Sequence, residues 1–318
     1  MWIQRFIILL LLTTSLFANK DIKPKKIFNA NGDVEDMVFN NNLLYVGTTS
    51  GEVNLFTLTN TKPIWSIKIP KIKDFTQETI NAKIYSIDAL SFDSKILFVS
   101  EGVGGYRDVW LFNGNKLEKI ISSTQKLFIK KAKFVNHSTI LLGLLSNQHI
   151  LYDFKKKKIL YTIQPTTSSF SNFTLSEDKK LFVTTDESGE VRIVNTLNGK
   201  IIKVFNQINL DRVFSLDFKK GVILTAGQDR RVGVYTQTEH YALNFEFLIY
   251  SASLNHNASL AGIAYNENND IAVYNLLTKS KIFNLIGSKS TITAILFLKD
   301  NEIIASSEDK KINLWSIK

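Results

Sequence analysis

Phe173-Thr174-Leu175, then Leu181-Phe182-Val183-Thr184-Thr185, then Gly189-Glu190-Val191-Arg192-Ile193-Val194, then Ile201-Ile202-Lys203-Val204-Phe205: four short apolar or alternating runs, separated by turn residues, fill one stretch of this chain. The phrase returns as Leu216-Asp217-Phe218, Val222 to Ala226, Val232-Gly233-Val234-Tyr235 and Leu243-Asn244-Phe245, and again as Ile295-Leu296-Phe297, Ile303 to Ser307 and Ile312-Asn313-Leu314-Trp315. Four strands of roughly five residues joined by tight turns make one antiparallel meander, too small to bury both of its faces. Such a unit must stack on copies of itself, and a period of about 41 residues marks a stacked or circular repeat.

Two positions fix the register. The apolar residue closing the first strand is Phe39, Phe92, Phe134, Leu175, Phe218, Leu254 and Phe297, and the third strand contributes Val53, Val109, Ile150, Val191, Val232, Ile271 and Ile312. Both count seven repeats, with only the first step longer than the rest. The seventh lacks a fourth strand after Ile312–Trp315, and Lys23-Pro24-Lys25-Lys26-Ile27-Phe28 can supply it from the N-terminal side. That pairing closes a ring and removes the free edges an open stack would expose. The expected fold is all-β: a seven-bladed β-propeller of four-stranded antiparallel blades at about 33–70, 82–122, 127–165, 168–206, 211–247, 249–287 and 290–318 plus 22–28.

The repeat resembles the WD40 family over almost the whole chain after residue 18. Ser306-Ser307-Glu308-Asp309-Lys310-Lys311-Ile312-Asn313-Leu314-Trp315-Ser316 is similar to the family's phrase ending in Trp-Asp, and Thr225 to Val232 and Thr48 to Val53 resemble it too. The departures are Ser316 in place of the Asp, the loss of the Trp from most copies and the absence of the family's Gly-His pair. Asp229 and Asp309 match its tight-turn Asp, whereas Ser50, Ser188 and Asn268 stand there in other copies. The resemblance therefore implies the ring, with most of the family's buried polar network missing.

Met1-Trp2-Ile3-Gln4-Arg5 is a short basic head, Phe6 to Leu12 is apolar, and Thr13-Thr14-Ser15-Leu16-Phe17-Ala18 ends on a small residue. This reads as a secretory signal peptide over 1–18, too short for a span of about 20 residues, with an uncleaved anchor as the alternative. Residues 19–318 are then one propeller. The absence of Cys excludes disulfides, thiol catalysis and a cysteine zinc site. Export without disulfides suits a bacterial periplasm, and abundant Lys, Asn, Ile and Phe suits an A/T-rich bacterial genome.

The formal charge of +10 could attract anionic partners. However, Lys155-Lys156-Lys157-Lys158 falls in the gap between third and fourth strands and reads as a hairpin turn. With export, nucleic acid is not an expected partner. His137 and His256 fall in first-to-second strand turns, His149 begins a third strand and His240 lies in a third-to-fourth gap, without metal-ligand spacing, and no nucleophile elbow, phosphate loop or dinucleotide fingerprint is present. No catalytic residue, metal or cofactor is expected, although a propeller enzyme can gather residues from several blades at its channel.

Two connections exceed what joining strands requires. Lys71-Ile72-Lys73-Asp74-Phe75-Thr76-Gln77-Glu78-Thr79-Ile80-Asn81 is added between the first two repeats, and the turn Glu101-Gly102-Val103-Gly104-Gly105-Tyr106-Arg107-Asp108 expands the second. In a meander both emerge on the same rim. Glu101, Gly102, Gly104, Gly105, Tyr106 and Arg107, with neighbouring Lys73, Asp74 and Phe75, form the candidate partner-binding patch. Tyr106 offers an aromatic anchor and Arg107 a planar donor fork. The bland alternative is a wide Gly-rich turn with Tyr106 capping its blade. Arg212, at the start of a first strand, is expected in an exposed salt bridge.

Exported, cysteine-free WD40-like chains of this length carrying the Glu101–Arg107 loop look like the NapL-type accessory proteins of bacterial periplasmic nitrate reductases. That resemblance implies a non-catalytic accessory or assembly factor whose partners are reductase subunits or maturation factors; the chain itself is expected to be a monomer. The alternatives are a scaffold for other envelope proteins, or an enzyme with several polar side chains converging at the channel.

Overall fold

The computed structural model describes residues 20–90 and 95–317. The segment over 1–18 read as a signal peptide, Phe92 of the first-strand ruler and Lys318 lie outside the described residues. Seven antiparallel sheets form the ring, each running outward from an innermost strand. The innermost strands are Val34–Asn40, Ile84–Leu90, Ile129–Phe134, Phe170–Leu175, Val213–Lys219, Ala252–Leu254 and Ile292–Lys299. Each touches the next, and Ile292–Lys299 touches Val34–Asn40, which closes the circle.

The position of a strand in its blade explains its composition. Second strands such as Thr139–Leu144 are buried along their whole length and are therefore mostly apolar, because a neighbouring blade covers each face. All seven residues of the third-strand ruler, Val53 to Ile312, are no more than 4% exposed. Fourth strands such as Ile201–Phe205 lie at the outer edge and are largely exposed.

The core is divided among the interfaces. Seven buried apolar clusters each draw side chains from two adjacent blades. Leu97, Val99 and Val109, for example, pack against Ile140, Leu142 and Ile150. No blade owns a core of its own, which is the physical reason the meander must repeat.

Ring closure follows the expected pairing with a revised boundary. Lys26–Asn29 pairs antiparallel with Lys311–Ser316, setting Phe28 opposite Ile312. Phe28 is fully buried and packs edge-on against Phe56 of the first blade at 5.8 Å, so one side chain joins the two ends of the array. The closing segment is not one strand over 22–28. Lys20–Ile22 is a separate strand, paired in parallel with Ser280–Leu285 as a fifth strand on the sixth blade. Pro24, which has no N–H to donate to a ladder, lies between the two strands where the chain crosses from one blade to the next.

Candidate functional site

The insertion between the first two blades folds into a small hairpin, with Ile72–Lys73 paired to Thr79–Ile80. Asp74 organises its tip, where one carboxylate oxygen accepts from Thr76 N at 2.8 Å, Thr76 Oγ1 at 2.8 Å and Glu78 N at 2.9 Å. These bonds, the Thr76 hydroxyl first, hold the Asp74 carboxyl below its usual range. Asp74 is thus a turn residue, and what the turn presents is Phe75, 93% exposed.

The expanded turn of the second blade lies beside this hairpin. Lys71, Ile72 and Lys73 share a cavity of about 280 Å³ with Glu101, Val103, Asp108 and Trp110. Gly102 is fixed by packing: a Cβ there would lie 2.5 Å from Ser123 Cβ. Gly104 and Gly105 have φ of 69° and 80° around a short 3₁₀ turn over Val103–Gly105. Tyr106 packs on Phe128 with ring centroids 4.6 Å apart. The Arg107 guanidinium lies 4.1 Å from the centroid of the Tyr85 ring and donates to the carbonyls of Gly105 and Tyr106. Tyr106 and Arg107 are therefore half-buried members of the loop's own packing, whereas Lys73, Phe75, Val103, Gly104 and Gly105 face solvent.

Contact with Tyr85 connects this loop to a feature that sequence reading missed. Six of the seven innermost strands carry a β-bulge at the same place, each leaving one residue unpaired: Glu35, Tyr85, Lys130, Ser171, Phe214 and Thr293. All six line one cavity of about 270 Å³ at the channel mouth, with Asp36, Ser86, Lys131 and Asn172 below them. A bulge re-aims a side chain out of the alternating pattern, so six blades contribute one residue each to the same opening. No single repeat could reveal this, because the six residue types share nothing except their place in the period.

Deeper in the channel, polar side chains join neighbouring blades. Innermost strands do not pair with one another, so their edge groups need partners from side chains. Asp36 accepts from Ile87 N at 2.9 Å, Asp88 from Phe134 N at 2.7 Å and Asp217 from Leu254 N at 2.8 Å. In return Lys133 donates to Ile87 O at 2.7 Å, Lys179 to Phe134 O at 2.8 Å and Lys219 to Leu254 O at 2.5 Å. The channel does gather charged groups, but these carboxylates and ammoniums are engaged in holding blades together.

The four histidines do not meet. His149 is buried among Phe170, Phe173 and Phe182, with Nε2 2.9 Å from Thr184 Oγ1, and burial, helped by the nearby Arg192 charge, holds its pKa down to about 3. Among the described residues no group of three or more His, Cys, Asp or Glu is placed to hold a metal ion. Nor is any of their helices long and apolar enough to cross a membrane. Lys155-Lys156-Lys157-Lys158 spans a hairpin turn, with Asp153 accepting from the amides of Lys155 and Lys156. Arg212 forms a partly exposed salt bridge with Glu187 at 3.6 Å.

Polar networks at the blade turns are more complete than the repeat alone suggested. In the fifth blade Asn209 accepts from Thr225 Oγ1 at 2.5 Å and donates to Asp229 at 3.2 Å, and Asp229 also accepts from Leu210 N at 2.8 Å. In the fourth, Asp186 accepts from Arg192, Thr166, Asn147 and Ser188. Burial alone would raise the Asp186 carboxyl, but Ser188, Thr166 and Arg192 outweigh it and hold it below its usual value. The substituting residues are Asn and Arg, placed where pattern matching for a Gly-His pair does not look.

Comparison with known proteins agrees with this geometry. The family model described as WD domain, G-beta repeat, matches residues 279–316, which include most of the seventh blade. Among solved structures, the β-propeller domain of Cps50 (Swd1) from Myceliophteria thermophila superposes with a TM-score of 0.75 at 14% identity, covering 93% of this chain and 99% of that one. No curated protein matches the sequence. The closed ring and this superposition make the chain a seven-bladed β-propeller, one of whose blades matches the WD40 repeat.

Proposed function

We propose that this chain is an exported, non-catalytic propeller that binds a protein partner on the rim formed by the 71–81 hairpin and the 101–108 loop. The observation that carries this reading is Phe75: a large apolar side chain 93% exposed on a paired, carboxylate-braced hairpin that ring closure does not need. Exposed aromatics beside a rigid polar loop are the anchors of protein interfaces. Val103, 61% exposed on the adjoining loop, extends the apolar surface, with Lys73 at its polar edge.

The finer reading is a periplasmic accessory or assembly factor for nitrate reductase, supported by the sequence of the Glu101–Arg107 loop and by the signal-like segment over 1–18. Mild cross-linking of the tagged chain in its native cell, followed by identification of captured proteins, tests both levels. Capture of reductase subunits or maturation factors by the wild type, abolished in Phe75→Asp, is the expected result. Capture of other envelope proteins would keep the rim and discard the reductase. Nitrate reduction unchanged on deleting the gene would likewise remove the finer reading.

A further inference from the structure

The ring of bulged residues points to a second site, separate from the partner-binding reading and independent of it. We infer that the channel mouth binds a small oxyanion, held by Lys130 and Lys131 with the hydroxyl of Ser171.

Three observations converge. First, Lys130 occupies a bulge that turns it into the shared cavity of about 270 Å³, and Lys131 follows directly on the same strand, so two lysines line one pocket at the channel mouth. Second, carboxylates near that space are already engaged. Glu35 is paired with Lys83 at 2.6 Å, Asp36 caps the amides of Met37 and Ile87, and Glu187 is paired with Arg212. Asp88 and Asp217 lie with Lys133 and Lys219. Among the described residues Lys130 makes no salt bridge, and its ammonium lies 5.9 Å from the centroid of the Phe170 ring. Third, Ser171, bulged from the next blade, is 3% exposed and its Oγ has no hydrogen-bond partner among the described residues, although it lines the same cavity.

The Lys130 ammonium and the orphan Ser171 hydroxyl leave donors without acceptors in one pocket, with the Lys131 cation beside them, an arrangement that an oxyanion completes. Asn172, which already accepts from Lys131 at 2.7 Å, fixes that side chain at the floor. Burial and neighbouring cations, Arg212 for Lys130 and Lys133 for Lys131, bring both ammoniums down to about 8, and a bound anion would relieve that destabilisation. The cavity admits a free ion or a small organic acid more readily than a folded partner.

The test is calorimetric titration of the mature chain with inorganic phosphate, sulfate and acetate, each at constant ionic strength and neutral pH. Saturable binding of at least one ion with unit stoichiometry is expected, and its identity separates inorganic oxyanions from carboxylates. Lys130→Gln should weaken it about tenfold or more, the order expected for losing one charged hydrogen bond, while Lys155→Gln on the outer turn leaves it unchanged. Ser171→Ala, which removes only a hydroxyl, should weaken it several-fold and keeps the test decisive should Lys130→Gln fail to fold. Absence of saturable binding for all three ions, or binding that both channel variants leave untouched, would overturn the inference.

Discussion

His149 shows what one buried residue contributes. Its ring lies within a cage of three phenylalanines and stays neutral, with burial as the main cause of a pKa near 3 against an ordinary value near 6.5. Because the folded value is the lower one, the unfolded chain takes up the proton first as pH falls. The contribution of neutral His149 is fully present above about pH 6.5 and is lost on acidification toward pH 3, with a slope of up to about 1.4 kcal/mol per pH unit. Thermal melts at pH 7 and pH 5 should therefore differ more for the wild type than for His149→Leu. Equal pH dependence in the two proteins would place a charged imidazole in the fold. The sequence placed His149 at the start of a third strand but not in a cage, because Phe170, Phe173 and Phe182 come from the next blade.

At the scale of the element, the two elaborated loops differ in what they tolerate. Gly102 has Ser123 Cβ where its own Cβ would go, so Gly102→Ala should destabilise by about 1–3 kcal/mol, read as a fall in melting temperature. Gly105 faces open space with φ of 80°, so Gly105→Asn should cost less than about 1 kcal/mol. Both insertions, and their sharing of one rim, were legible because each interrupts a regular period and the meander dictates where connections emerge. The division of labour within them was not: Tyr106 and Arg107, the conspicuous side chains in the sequence, pack on Phe128 and Tyr85, while Phe75 is the one left in solvent. Which of several aromatics faces water depends on neighbours distant in sequence, and those neighbours here come from the second and third blades. The bulges at Glu35, Tyr85, Lys130, Ser171, Phe214 and Thr293 were hidden for a related reason, since an unpaired residue leaves a strand's apolar pattern almost intact.

For the molecule as a whole, stability rests on interfaces between blades, and the interface between the last and first blades depends on a strand borrowed from the N-terminal side. Phe28→Ala should cost about 3–5 kcal/mol, as for other fully buried aromatics, and should loosen the ring as a unit because each blade's core is completed by its neighbours. Chemical denaturation followed by tryptophan fluorescence measures this, and a loss below about 1 kcal/mol would show that Lys26–Asn29 is dispensable for closure. The ring itself was legible from period and strand count, as was the closing partner. The parallel strand Lys20–Ile22 on the sixth blade was not, since a three-residue segment before a proline carries no periodic signal. The most direct measurement of the central claim places a photo-reactive phenylalanine analogue at position 75 and, separately, at Leu277, which is 89% exposed on a turn at the opposite rim. Irradiation in the native cell should give a discrete protein adduct from position 75 and none from position 277; adducts from 277 alone, or from neither, would contradict the assignment of this rim as the interaction surface.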